Sequence, residues 1–152
     1  MSLEDTIIKN TEAVLRLTEI TAAQLTRCGA PESFFALTDQ TFANQAEFFK
    51  KAQDAGKPAQ EAAFSQPPEK RGLAIAELAG MTDFFAARGI AKEQAASCLA
   101  DTAKATALAA ASTEQGEKLK IEGTPTFLVN GAKLDVNTWP LVKVELEKLG
   151  AR

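Results

Sequence analysis

The stretch GTPTFLVNG, residues Gly123–Gly131, decides how this sequence folds. Its centre is rich in residues that favour strands, and Asn130-Gly131 tolerates the positive φ angles of a type I′ turn. The residues after this turn, Ala132–Val136, alternate apolar and polar side chains as a half-buried strand does. The sequence therefore predicts a β-hairpin that turns at Asn130-Gly131.

A final helix is predicted to follow this hairpin. Asn137 or Thr138 can cap its start, and Pro140 suits its first turn, where the missing N–H costs no hydrogen bond. Gly150 marks its end. Its apolar side chains are predicted to face inward: Leu141, Val144, Leu146 and Leu149.

Residues 21–116 carry helical signals, with Ala, Gln, Glu, Lys and Leu interrupted by Gly and Pro. The phenylalanines of this block could line a ligand pocket, but aromatic residues at helical spacing more often pack in a core. We therefore predict one core-facing surface formed by Phe35, Phe42, Ala46 and Phe49. The mixed charges of residues 114–122 indicate a solvated helix end.

A strand is predicted before this helical block. Ala13–Ile20 carries Val, Leu and Ile in partial alternation, which favours a strand, although Leu and Glu also suit helices. The predicted order along the chain is therefore strand, several helices, hairpin and terminal helix.

Composition excludes several classes of function. The chain has 152 residues, enough for one domain with a real core. Its 17 basic and 20 acidic residues give a net charge of −3, so nucleic acid is not an expected partner. It has no histidine, which excludes Ser-His-Asp hydrolysis and imidazole-based zinc sites. We expect no metal, no cofactor, no membrane span and no signal peptide in this sequence.

Two cysteines, Cys28 and Cys98, are present, and they lie too far apart in sequence to form a redox Cys-x-x-Cys pair. Two ligands are also too few for a metal site built from cysteine alone. From the residues alone, the two are either buried thiols or one structural disulfide.

The predicted order of elements resembles the thioredoxin fold with the helical insertion of DsbA-like disulfide oxidoreductases. Gly123–Gly131 is similar to the cis-proline loop of that family, which runs into a strand and hairpin. The resemblance implies an α/β fold with an incomplete thioredoxin-like sheet. It places the thioredoxin-like part in residues 1–21 and 117–152 and an all-helical insertion in residues 22–116.

The resemblance also implies roles for particular residues. Leu25–Gly29 and Ala96–Asp101 are similar to places where DsbA-like proteins of certain Gram-negative bacteria hold a second, non-catalytic disulfide, so Cys28 and Cys98 are expected to pair. A cis bond before Pro125 would let the backbone of Thr124 bind an extended peptide. Unfolded or reduced polypeptides are then the expected substrates, and the periplasm or another exported location the expected compartment.

One departure from the family pattern concerns the redox site. In the family, a strand with an end similar to Leu17–Ile20 leads to Cys-x-x-Cys at the start of a helix, whereas Thr21–Leu25 already resembles the insertion. We therefore predict that the redox segment is missing between Ile20 and Thr21 and that this chain is inactive in disulfide exchange. The loss would expose unpaired backbone along the first strand, which either pairs with a second copy, as a homodimer, or is covered by residues 2–10.

Three functions remain open from the sequence. The first is a thiol-disulfide oxidoreductase or isomerase of the DsbA-like type that lacks its redox segment. The second is a redox-inactive thioredoxin-like module that binds peptides. The third is a mostly helical interaction protein without a sheet, which the predicted hairpin argues against.

Overall fold

Helices dominate residues 16–151, which are the residues described in the computed structural model of this protein. Contacts within the chain divide it into two units, Met1–Ala109 and Ala110–Arg152. None of the described helices combines the length and apolar character that crossing a membrane requires. The domain boundaries expected from sequence stay a prediction.

Residues 16–25 are helical and are labelled α1. A short 3-10 helix over Pro31–Ser33 follows. The later elements are α2 (Phe34–Ala43), α3 (Gln45–Asp54), α4 (Gly56–Phe64), α5 (Pro68–Leu78), α6 (Met81–Ala86), α7 (Lys92–Leu99), α8 (Thr102–Lys118), β1 (Leu128–Val129), β2 (Ala132–Lys133) and α9 (Trp139–Lys148).

The strand predicted over Ala13–Ile20 is wrong for residues 16–20, which are helical and continuous with residues 21–25. Thr18, Thr21 and Leu25 are buried at helical spacings of three and four, so one face of α1 packs inward. Residues 13–15 lie outside the described residues. The predicted gap between Ile20 and Thr21 rested on this strand, and the gap itself stays a prediction.

Glycine and proline mark several of the boundaries between the helices. Gly89 follows α6 with a φ of 93°, a left-handed conformation that ends the helical stretch. α3 ends at Asp54, and α4 begins at Gly56, whose φ is 79°. Pro58 lies in the first turn of α4, where a missing N–H leaves no hydrogen bond unmade.

A buried aromatic cluster forms the core of the unit of residues 1–109. Phe84 makes edge-to-face contacts with Phe48, at 4.9 Å between ring centroids, and with Phe85, at 5.1 Å. Phe85 is fully buried, and Leu25 and Leu99 are buried in the same cluster. Phe85 and Phe48 thus anchor the helices against one another.

The core-facing surface predicted from Phe35, Phe42, Ala46 and Phe49 is wrong. Phe35 and Phe42 are 76% and 69% exposed, Ala46 is exposed and Phe49 is half-buried. Leu37 is the buried residue of α2. Because α2 turns Leu37 inward, Phe35 and Phe42, which lie on the opposite side of the helix, face solvent.

The hairpin prediction is confirmed in the unit of residues 110–152. β1 and β2 pair antiparallel, with Val129 opposite Ala132. Asn130 and Gly131 have φ angles of 52° and 84°, both positive as a type I′ turn requires. The hypothesis of a helical protein without a sheet is therefore contradicted.

The terminal helix α9 is confirmed, but its predicted inward face is wrong at three of its four residues. Leu141, Val144 and Leu149 are exposed, whereas Val142 is buried. Leu146 follows Val142 by one helical turn and is half-buried. The buried stripe of α9 thus passes through Val142 and Leu146.

Replacing Phe85 with Ala is expected to lower the free energy of unfolding by about 3–5 kcal/mol, because it leaves a cavity in the core. The matched variant Phe42→Ala removes an exposed ring and should change this free energy by less than about 0.5 kcal/mol. Denaturant unfolding of both variants measures the difference. Equal losses would contradict the assignment of Phe85 to the core and Phe42 to the surface.

The start of α8 is capped by a carboxylate. The backbone N–H of Lys104 donates a 3.0 Å hydrogen bond to Oδ1 of Asp101, which directly precedes the helix. This bond, together with the nearby Lys104 ammonium, lowers the pKa of the Asp101 carboxyl from its ordinary value. The carboxylate therefore stabilises the folded state in its ionised form.

Replacing Asp101 with Ala is expected to lower the midpoint of thermal unfolding at pH 7 and to make it less dependent on pH. The contribution of the carboxylate is fully present above the unfolded-state pKa of about 3.9 and is lost as pH falls through the lower folded-state pKa. Melting curves across the acid range measure this. Asp101→Asn, which keeps the acceptor oxygen, is the control, and an equal loss at all pH values would contradict the prediction.

Candidate functional site

The loop before β1 presents exposed backbone. Thr124 and Pro125 are both exposed, and the peptide bond between them is cis. The hydroxyl of Thr126 donates a 2.6 Å hydrogen bond to the carbonyl of Gly123, which closes the loop. The backbone N–H and C=O of Thr124 make no hydrogen bond within residues 16–151. Both groups are therefore free to pair with an extended peptide.

A recess of about 390 Å³ lies beside Pro125. The side chain of Lys133 in β2 is fixed there, because its Nζ donates to the carbonyl of Lys120 at 3.1 Å and lies 3.4 Å from Oε2 of Glu122. Asp135 and Asn137 also line the recess. This lining offers both hydrogen-bond donors and hydrogen-bond acceptors to a ligand that lies along the loop.

The two cysteines are joined by a disulfide in the unit of residues 1–109. Cys28 follows α1 and Cys98 lies in α7, with 6.1 Å between their Cα atoms, and neither thiol is free. Nε2 of Gln94 donates to the carbonyl of Cys28 at 2.7 Å. Nε2 of Gln24 donates to the carbonyls of Cys98 and Asp101 at 3.4 and 3.2 Å. Two amide side chains thus hold the backbone on either side of the bond.

Sequence reasoning singled out two pairs of residues, and in the structure the two members of each pair lie together. Thr124 and Pro125 share one exposed loop, and Cys28 and Cys98 share one bond. Because the chain's two cysteines are bonded to each other, neither is a free thiol that could attack or resolve a mixed disulfide. Within residues 16–151, no group of three or more His, Cys, Asp or Glu side chains is arranged to hold a metal ion.

Sequence reasoning missed one surface of the helical unit. Phe35 and Phe42 are exposed on α2, and the carboxylate of Asp39 lies between them at helical spacing. A charged residue between two aromatic residues on one helix face is the signal that could have placed this face at the surface.

Replacing Cys28 and Cys98 with Ser is expected to lower the free energy of unfolding by about 4 kcal/mol, because the bond closes a long loop and restricts the unfolded chain. Denaturant unfolding with and without a reductant measures this. Cys28→Ser alone should lose as much as the double variant, since either change removes the bond. An unfolding midpoint of the parent protein that does not respond to reductant would contradict the prediction.

Comparison with known proteins adds to this geometry. A family model described as thioredoxin matches residues 8–146. A crystal structure of a protein-disulfide isomerase from Novosphingobium aromaticivorans is similar, with a TM-score of 0.77 and 28% sequence identity. The match covers 89% of this chain and 70% of that chain. No curated protein matches the sequence.

Proposed function

This chain belongs to the thioredoxin family, with a fold of the disulfide oxidoreductase type, and on that premise we propose that it supplies the polypeptide-binding part of a DsbA-like thiol-disulfide oxidoreductase or isomerase. The α/β fold with an incomplete sheet and a helical insertion is confirmed. The observation that carries the proposal is the exposed Thr124-Pro125 loop, with the backbone of Thr124 unpaired in the described structure.

The thiol chemistry is not part of what residues 1–152 provide. Disulfide exchange needs a thiolate to attack and, for release, a second thiol to resolve the mixed disulfide. Cys28 and Cys98 are bonded to each other and lie in the helical unit. The redox Cys-x-x-Cys segment is therefore the part of the enzyme that this sequence lacks, and the chain alone is expected to bind substrates without oxidising or reducing them.

The proposed substrates are unfolded or reduced polypeptides. An extended segment satisfies the free N–H and C=O of Thr124 with its own backbone, which needs no particular side chain. Such binding suits an enzyme that acts on many sequences. The Cys28–Cys98 bond supports an exported, oxidising location, because structural disulfides persist in such compartments.

A second candidate is a redox-inactive module that binds peptides through the same loop. The absence of any thiol beyond Cys28 and Cys98 favours it. The two candidates differ in whether the encoding gene supplies a Cys-x-x-Cys segment. The sequence of that gene around the codons for Ile20 and Thr21 and upstream of them distinguishes the two.

Replacing Thr124 with Pro is expected to weaken the binding of a reduced and alkylated unfolded polypeptide about fivefold, because one backbone donor contributes about 1 kcal/mol net. Thr124→Val is the matched control, since it keeps the backbone N–H and should bind like the parent. Fluorescence anisotropy of the labelled polypeptide measures both affinities. Equal binding by the parent and Thr124→Pro would overturn the role of this loop.

A further inference from the structure

An acidic aromatic face lies on the helical unit, formed by Glu32, Phe35, Asp39 and Phe42. These residues recur at spacings of three, four and three along the 3-10 helix and α2, so their side chains share one side. Glu32 and Asp39 are exposed, and the two rings are 76% and 69% exposed. Exposed rings clustered on one helix face are typical of interaction sites.

The aromatic part of this face is held in place from behind. The ring of Phe34 contacts that of Phe35 edge to face at 5.2 Å, and the guanidinium of Arg27 lies 4.7 Å from the centroid of Phe34. Leu37 is buried and fixes α2 to the core. Phe35 is thus oriented by its neighbours while most of its surface stays open, which lowers the entropy lost on binding.

The charged groups of the acidic aromatic face are the carboxylates of Glu32 and Asp39. Neither Glu32 nor Asp39 forms an ion pair within residues 16–151. The nearby cation of Arg27 instead lies over the Phe34 ring. A ligand for this face therefore needs apolar side chains for the two rings and basic side chains for the two carboxylates.

We propose that the acidic aromatic face binds apolar segments of unfolded polypeptides that carry lysine or arginine. This inference rests on the proposed function and specifies its substrate class. A second copy of the chain fits less well, because two such faces would bring carboxylates together. An anionic membrane surface is disfavoured by the same charges.

The test uses two labelled peptides with the same leucines, one with lysines and one with glutamates at the remaining positions, measured by fluorescence anisotropy with the full chain. We expect the lysine peptide to bind at least roughly tenfold more tightly than the glutamate peptide. The double variant Phe35→Ser/Phe42→Ser should lose roughly tenfold in affinity for the lysine peptide, since aromatic anchors dominate such interfaces. Glu32→Lys/Asp39→Lys should reverse the preference between the peptides.

The controls are Leu149→Ser and Glu114→Lys, which change an exposed apolar and an exposed acidic side chain in the unit of residues 110–152. Both should bind the lysine peptide like the parent, and circular dichroism should show that every variant folds. Equal affinity for the two peptides, or unchanged affinity in the serine double variant, would overturn the proposal. Two other outcomes would also overturn the proposal. If the parent chain dimerises and only Phe35→Ser/Phe42→Ser abolishes the dimer, the face binds a second copy. If the parent binds phosphatidylglycerol vesicles and only this variant does not, the face binds a membrane.

Failure of the acidic aromatic face and failure of the Thr124-Pro125 loop can be told apart by comparing their variants. If Thr124→Pro leaves polypeptide binding unchanged while Phe35→Ser/Phe42→Ser weakens it, the acidic aromatic face stands and the loop does not. The opposite pattern keeps the loop and removes the face.

Discussion

The bond between Cys28 and Cys98 is the constraint on which the helical unit depends. It joins residues 70 positions apart, and Gln24 and Gln94 hold the adjoining carbonyls. The same bond also limits the chemistry, because it occupies both cysteine sulfurs of the chain. Disulfide exchange uses an attacking and a resolving thiol, and while Cys28 and Cys98 are bonded to each other neither is available for that role.

The hairpin could be predicted from sequence because its information is local. Asn130 and Gly131 both adopt positive φ angles, which determines the type of turn. The turn then fixes the register of the hairpin, with Val129 opposite Ala132. The Thr124-Pro125 loop and its exposure follow from the same short stretch. For this part of the candidate site, nine consecutive residues contained nearly all of the signal.

The first strand could not be predicted correctly because its pattern suits two structures. Val, Leu and Ile in partial alternation favour a strand, but the buried positions Thr18, Thr21 and Leu25 have the spacing of a helix. Two of these are threonines, so a hydrophobic pattern does not reveal them. Thr18 and Thr21 are nevertheless buried in the folded chain, and local sequence alone does not predict that burial.

Periodicity predicts a helix more reliably than it predicts which face is buried. On α2 the buried residue is Leu37 and on α9 it is Val142, whereas most of the residues expected inside are exposed: Phe35, Phe42, Leu141, Val144 and Leu149. Exposing Phe35 and Phe42 forgoes the roughly 1.5–3 kcal/mol that burying each ring would contribute. Sites where a sequence departs from the usual burial of apolar side chains at such a cost in stability are often functional sites. For a chain proposed to bind unfolded polypeptides, an exposed aromatic face serves as a binding surface that a fully buried core could not provide.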